Sequence, residues 1–261
     1  MSKSLPPVAA LLVAAWLMLA SSQILAEPIP LTVAGSTWSP YTDADRPGKG
    51  VAAEIVTVAL ERAGYAPKIV IEPWTRTLEG TRIGVYDAII AAFHTLEREE
   101  RFAFSRPYLR NEVRFIKRKG QRIDFQDLGD LKGLLIGVVR GYAYQDDFDA
   151  SRTLIKVQHN HVIQNLLKLT QGQLDLTLDD RWTLLYEIGQ YMPNKASELE
   201  FLPKPLAVRP LHFIVSRENP DHEKIVADFD AAFASMQRDG TLDQIIDRHL
   251  KDLAHLQDQA P

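Results

Sequence analysis

The run from Asp87 to Phe93 (DAIIAAF) is almost uninterrupted apolar sequence, and no other segment constrains the fold as strongly. A strand with one wet face alternates polar and apolar residues, whereas one covered on both faces does not. This run therefore predicts a strand inside a parallel sheet with helices on both sides. Its neighbours agree. Leu31–Ala34 is a short β-rich run ending at Gly35, and Val51–Ala63 sets Val51, Ile55, Val58 and Ala59 on one helical stripe before Gly64. Lys68–Ile71 predicts a strand and Thr75–Arg82 a short helix. Strand, helix, strand, helix, strand is an α/β order.

A second unit follows Lys119, with a short helix at Asp127–Lys132, a buried strand at Leu134–Val139 and a turn at Gly141 from which Tyr142 and Ala143 open a helix. Ile155–Val157 is a strand, Asn160 is placed to cap a helix over His161–Thr170, and Asp175–Leu178 is the next strand. Leu211–Ser216 is a further apolar strand, and Glu223–Arg238 and Leu242–Leu250 are terminal helices. The sequence Gly84-Val-Tyr-Asp87 before one apolar strand is echoed by Gly172-Gln-Leu-Asp175 before another, as two similar lobes would produce. Ligands of such sheets bind outside the carboxyl ends of strands. That rule selects Ser36–Tyr41, Phe93–Arg98, Gly141–Tyr144 and Asp179–Arg181 as cleft segments.

The 261 residues carry a net charge of −4 and no cysteine, which argues against a nucleic-acid surface and excludes thiolate metal sites and cysteine nucleophiles. His159 and His161 alternate without an acidic third ligand nearby, and no phosphate-binding loop, nucleophile elbow or zinc-protease motif is present, so no metal or cofactor is expected. At the start, Lys3 precedes an apolar run Val8–Ala20, followed by Ser21-Ser-Gln-Ile-Leu-Ala26 with a small residue before Glu27. The run falls short of the roughly 20 residues of a membrane span, so residues 1–26 read as a cleaved export signal. Without a cysteine after it, a lipid anchor is excluded, and a freely diffusing periplasmic monomer is expected.

The motifs Trp38-Ser-Pro-Tyr41, Gly50-Val-Ala-Ala-Glu54, Asp87 to Arg98, Phe104-Ser-Arg-Pro-Tyr108, Asp130-Leu-Lys-Gly133, Ile136 to Gly141, Gly172-Gln-Leu-Asp175 and Asp239-Gly-Thr-Leu, in this order, resemble extracytoplasmic solute-binding proteins of family 3, the polar amino-acid class that feeds ABC importers. The resemblance covers nearly all of residues 30–250. It implies a type II periplasmic-binding-protein fold, two α/β lobes that close on a ligand like a hinged trap. The first lobe would comprise 27–114 plus 213–261 and the second 115–212, with hinge strands near Arg114–Lys119 and Arg209–Ser216.

By spacing alone Arg98 is either a solvated charge among Glu97, Glu99, Glu100 and Arg101 or a guanidinium facing the cleft, where its paired donors match a carboxylate. The resemblance implies the second, with Asp180 meeting the ligand ammonium; Asp180 otherwise reads as a helix cap, and its register can be exchanged with Asp179. It also implies that Trp38 and Trp74 sandwich the ligand side chain, two rings that are otherwise core residues. Tyr142 and Ala143 offer backbone N–H groups to an anion, although the family has a small hydroxyl residue there. Ala92 and His94 depart from the family in the same way at a strand end; His94 adds a polar contact or is structural. The implied function is capture of a small, amino-acid-like solute for the membrane subunits of an ABC importer, without catalysis. The alternatives are a cyclohexadienyl or arogenate dehydratase-like enzyme of the same fold and a ligand-sensing accessory to a membrane receptor.

Overall fold

In the computed structural model, which describes residues 27–257 with side chains up to residue 249, β1 (Ile29–Gly35) leads to α1 (Val51–Arg62), β2 (Tyr65–Ile71), α2 (Trp74–Arg82) and β3 (Ala88–Phe93). The export signal assigned to residues 1–26 lies outside the described residues. β1 pairs in parallel with β2 on one side and β3 on the other. The apolar run that forms β3 is buried on both faces as its composition requires. Ala88 and Ile90 join a core with Val33, Ile55, Leu60, Phe213 and Phe229, while Ile89 and Ala92 turn the other way against Phe102 and Ile214. Each such large apolar side chain contributes about 1.5–3 kcal/mol on burial.

The chain continues through α3 (Leu96–Glu99), β4 (Phe102–Phe104) and the long β5 (Leu109–Arg118), then β6 (Leu135–Val139), α4 (Asp146–Ala150), β7 (Ile155–His159), α5 (Val162–Thr170), β8 (Leu176–Asp180), α6 (Arg181–Tyr191), β9 (Leu199–Phe201), β10 (Ala207–Ser216), α7 (His222–Arg238) and α8 (Thr241–Gln257). A second lobe forms around parallel β7, β6 and β8, with β5 antiparallel to β8. One face of this sheet packs Phe115, Ile136 and Leu178 against Phe125 and Phe148; the other packs Ile116 and Val139 against Leu166, Leu184 and Ile188. The two sheets are continuous, in the order β2-β1-β3-β10-β5-β8-β6-β7, because β5 and β10 cross between the lobes. Ala207–Leu211 of β10 pairs with Leu109–Val113 of β5, and the rest of β10 pairs with β3 and β4.

Two helix starts differ from the sequence reading. The helix after Gly141 begins only at Asp146, because Gln145 caps it by accepting from Phe148 N, and Asp149 Oδ2 takes the N–H groups of Tyr144 and Gln145. Tyr142 N instead closes a turn onto Val139 O at 3.2 Å. The cap of α5 is His161, in extended backbone, rather than Asn160, and both N–H groups are held by Gln164 Oε1.

The N-terminus of α1 positions the loop after β1. Val51 N donates to Pro40 O at 3.0 Å and Ala52 N to Tyr41 O at 2.9 Å, so unsatisfied helix N–H groups clamp that loop. This contact requires Gly50, whose φ of 97° and ψ of 162° suit only glycine and where a Cβ would stand 2.5 Å from Tyr41 O. Gly50→Ala is expected to lower unfolding free energy by about 2–4 kcal/mol in urea denaturation. A loss within about 0.5 kcal/mol would show that the clamp adapts.

Candidate functional site

The loops that leave the carboxyl ends of β1, β3, β6 and β8 meet where the lobes face each other. The β1 loop is folded on itself by Trp38 N to Thr42 O (2.7 Å) and Thr42 N to Trp38 O (3.0 Å), which fixes the Trp38 backbone. The Trp38 ring lies edge-on to Phe93 with centroids 5.8 Å apart, and its Nε1 donates to Asp179 Oδ1 at 3.0 Å in the second lobe. Trp74 opens α2 and donates from Nε1 to Gly141 O at 2.9 Å, with its ring edge-on to Tyr142.

Arg98 sits in α3, whose first turn is capped by Thr95 Oγ1 accepting from Arg98 N at 3.2 Å. Its guanidinium donates through Nη1 to Phe93 O (2.8 Å) and through Nη2 to Gly141 O (3.3 Å), and packs over the Trp74 ring at 5.0 Å. The side chain is buried, and among the described residues it forms no ion pair. Burial lowers its pKa to about 10, with the nearby positive charge of Arg209 acting in the same direction. A buried cation bonded only to neutral carbonyls is well placed to accept an anion.

Two cavities flank this junction. The first, about 30 Å³, is bounded by Trp38, Trp74, Ala92, Arg98, Tyr142 and Ala143. It therefore gathers six of the eight residues singled out from sequence. The second, about 120 Å³, lies beyond Trp38 and Tyr142, which wall both, and reaches Asp179, Thr183 and Glu187.

Asp180 and His94 border neither cavity. Asp180 caps α6: Oδ1 accepts from Trp182 N, Thr183 N and Tyr41 OH, and Oδ2 from Glu112 N at 3.0 Å. Four donors occupy its two oxygens, so this carboxylate is spent on the fold. Its neighbour Asp179 faces the second cavity, because successive strand residues point to opposite sides. His94 turns away from the cleft; its ring stacks edge-on to Phe104 and Nε2 meets Glu99 Oε2 at 3.1 Å. His159 Nδ1 is likewise engaged, with Asn165 Oδ1 at 2.6 Å.

The sequence reading did not select Gly141 as an acceptor, nor Thr183 and Glu187. A signal for Glu187 exists: it falls in the buried face of α6 beside Leu184 and Ile188, where a charge is costly. Burial pushes the Asp179 carboxyl up to about 7, against the Trp38 hydrogen bond and with help from Asp180 and Glu187. Burial also lifts Glu187 to about 7, with the charge of Asp43 adding to it, and Asp180 to about 6, opposed by the Tyr41 hydroxyl.

With this geometry in view, the chain belongs to the bacterial extracellular solute-binding proteins of family 3, which match residues 31–252. No curated protein matches it in sequence. Solved structures share its two-lobed fold at low identity. A mutant of the arginine-binding protein ArgBP from T. maritima superposes with a TM-score of 0.72 at 20% identity, covering 85% of this chain and 95% of that one. The amino acid ABC transporter substrate-binding protein AbpA from Streptococcus pneumoniae, bound to L-arginine, gives 0.70 at 18% identity over 85% of this chain and 94% of that one. A histidine kinase sensor domain with similarity to periplasmic binding proteins gives 0.75 at 18% identity, covering 86% and 97%.

A carboxyl whose folded pKa exceeds its unfolded value binds its proton more tightly in the native state, so its contribution to stability falls as pH rises through the interval between them. For Asp179 that interval runs from its ordinary 3.8 to about 7. Between about pH 5 and about pH 8, wild type should therefore lose more unfolding free energy than Asp179→Asn. Parallel pH profiles of the urea midpoints would show that Asp179 ionises freely in the native state.

Proposed function

We propose that this chain is an exported, non-catalytic binding protein that captures a small carboxylate-bearing, amino-acid-like solute between its lobes for the membrane subunits of an ABC importer. The observation that carries the reading is Arg98: a buried guanidinium at the lobe junction, stacked on Trp74 and bonded to one carbonyl from each lobe. A ligand carboxylate takes over these donors as a bidentate, charge-assisted pair, stronger than the bonds it replaces. Trp38 and Trp74 supply apolar area for the rest of the solute. Family membership and the amino-acid-binding neighbours support the substrate class.

Closure follows from differential contact. Outside the hinge strands, the described residues form four hydrogen bonds from first-lobe side chains to the second lobe: Trp38 to Asp179, Tyr41 to Asp180, and both Trp74 and Arg98 to Gly141 O. Each contributes about 0.5–3 kcal/mol only while the lobes are together. A solute that bonds groups from both lobes exchanges the Arg98–Gly141 bond for several that exist in the closed state alone, which is what shifts an open–closed equilibrium. The first cavity, at about 30 Å³, holds little more than two waters, so solute entry requires the lobes to separate.

A second reading, a sensor accessory using the same closure, is favoured by the similarity to a histidine kinase sensor domain. Loss of solute uptake on gene deletion supports delivery to an importer. Loss of a ligand-dependent response with uptake intact supports sensing.

Screening amino acids, amines and carboxylates by thermal shift should find carboxylate compounds that raise the melting temperature of wild type. Arg98→Ala should abolish those shifts, since losing the partner of a buried carboxylate costs about 3–5 kcal/mol, more than about 100-fold in affinity. Equal shifts in both proteins would remove Arg98 as the anchor.

A further inference from the structure

The C-terminal helix is fixed to one lobe and reaches the other. Leu242 and Ile245 of α8 are buried in the first-lobe core with Ile55 and Phe229. Thr241 Oγ1 accepts from Arg62 Nη2 at 2.6 Å, beside the end of α1. Two turns on, Arg248 Nη2 donates to Glu54 Oε1 at 2.5 Å and His249 Nε2 meets Glu54 Oε2 at 2.6 Å, in the first turn of α1. His249 is only 4% exposed. A carboxylate that grips two consecutive residues, one of them through a charge-assisted bond, fixes the helix in position and direction.

These bonds make α8 antiparallel to α1, and its backbone continues as helix to Gln257, about 12 Å beyond His249. The second lobe stands at that end. Tyr41, clamped by the α1 N-terminus, donates to Asp180, the cap of α6, so the starts of α1 and α6 are neighbours. α8 packs against α6 as well as against α1 and α7. α6 rides on the second lobe, since Leu184 and Ile188 are buried with Ile116 and Val139. The guanidinium of Arg46, from the first-lobe loop before α1, lies 5.0 Å from the centre of the Tyr186 ring on the same helix. Arg46, Glu54 and Tyr186 border neither solute cavity. Two first-lobe elements therefore hold α6 from outside the cleft.

We propose that α8 is a strap between the lobes: anchored on Glu54, it holds α6 together with Arg46 and favours the closed arrangement before any solute arrives. Contacts across the lobes exist only while the lobes are together, so they act on the open–closed equilibrium as a ligand does. The closed fraction sets apparent affinity, so slackening the strap weakens binding without removing any contact to the solute. The strap does not depend on which solute the cleft takes.

The test reads the distance between the lobes in solute-free protein. The sheet order puts β2 and β7 at its two ends with the crossing strands between, so the carboxyl ends of β2 and β7 separate most on opening. Arg76 and Asn160, both exposed, follow those ends, and the chain has no cysteine of its own. Nitroxides on Arg76→Cys and Asn160→Cys, measured by double electron–electron resonance, should show a short-distance population in the full chain. Ending the chain after His249 should lower the ratio of short to long distances about fivefold or more. Glu54→Gln and Tyr186→Ala should each lower it in the same direction, and they carry the test if circular dichroism shows the shortened chain unfolded. A full chain with no short-distance population would overturn the strap. So would a ratio unchanged in the shortened chain, or in both substituted chains if the shortened one is unfolded. Melting temperatures that fall while the distances stay would mark a helix that stabilises the first lobe alone, and would also overturn it. No solute is present, so failure of the solute-binding reading leaves these distances as they are.

Discussion

The antiparallel pairing of Ala207–Leu211 with Leu109–Val113 is the constraint on which the cleft depends. It makes one sheet of two lobes and sets the carboxyl ends of β1 and β3 opposite those of β6 and β8. The groups at the junction hang from strand ends: Trp38 after β1, Trp74 after β2, Arg98 after β3, Gly141 after β6 and Asp179 at the end of β8. The same pairing is tied to the helix behind the site. Val113 stands beside Asp180 in the β5–β8 register, and Asp180 Oδ2 takes Glu112 N while its other oxygen caps α6. The crossing strand, the end of β8 and the helix carrying Glu187 therefore form one unit.

Electrostatics gives the site its polarity. Among the described residues, a guanidinium without an ion-pair partner lies on one side of Trp38 and Tyr142, and two carboxyls without one lie on the other, all of them buried. Burial without a partner opposes folding in each case, which is why Arg98 is lowered and Asp179 and Glu187 are raised. Such costs are sustained by cores elsewhere, here the packing around Phe213 and Phe229 in one lobe and Phe115 and Phe148 in the other. Clusters of this kind are a physical mark of binding sites.

Much of the fold is legible locally. The doubly buried β3, the glycine stops and the stripe of α1 follow from periodicity, and the motifs led to the family that matches residues 31–252. The strand-end rule also leads to the segments that hold Trp38, Arg98, Tyr142 and Ala143, all on the first cavity. It was less able to choose between neighbours. Asp179 and Asp180 are adjacent acids at the end of a strand, and a shift of one residue exchanges cavity wall for helix cap. The sequence starts the helix after Gly141 too early, because the Gln145 cap and the Asp149 acceptor carry little signal in a polar stretch.

The sequence by itself determined the α/β order, the two-unit organisation and the kinship, because these rest on periodicities and turns only a few residues long. The tertiary structure alone decided that Gly141 O is shared by Trp74 and Arg98, that Trp38 reaches Asp179, and that Glu187 Oε2 is buried with no partner among the described residues. The reason is distance along the chain: Arg98 and Gly141 are 43 residues apart, and Trp38 and Asp179 are 141 apart. No local preference encodes contacts of that range. They exist because the packing of two lobes on one continuous sheet brings the strand ends together.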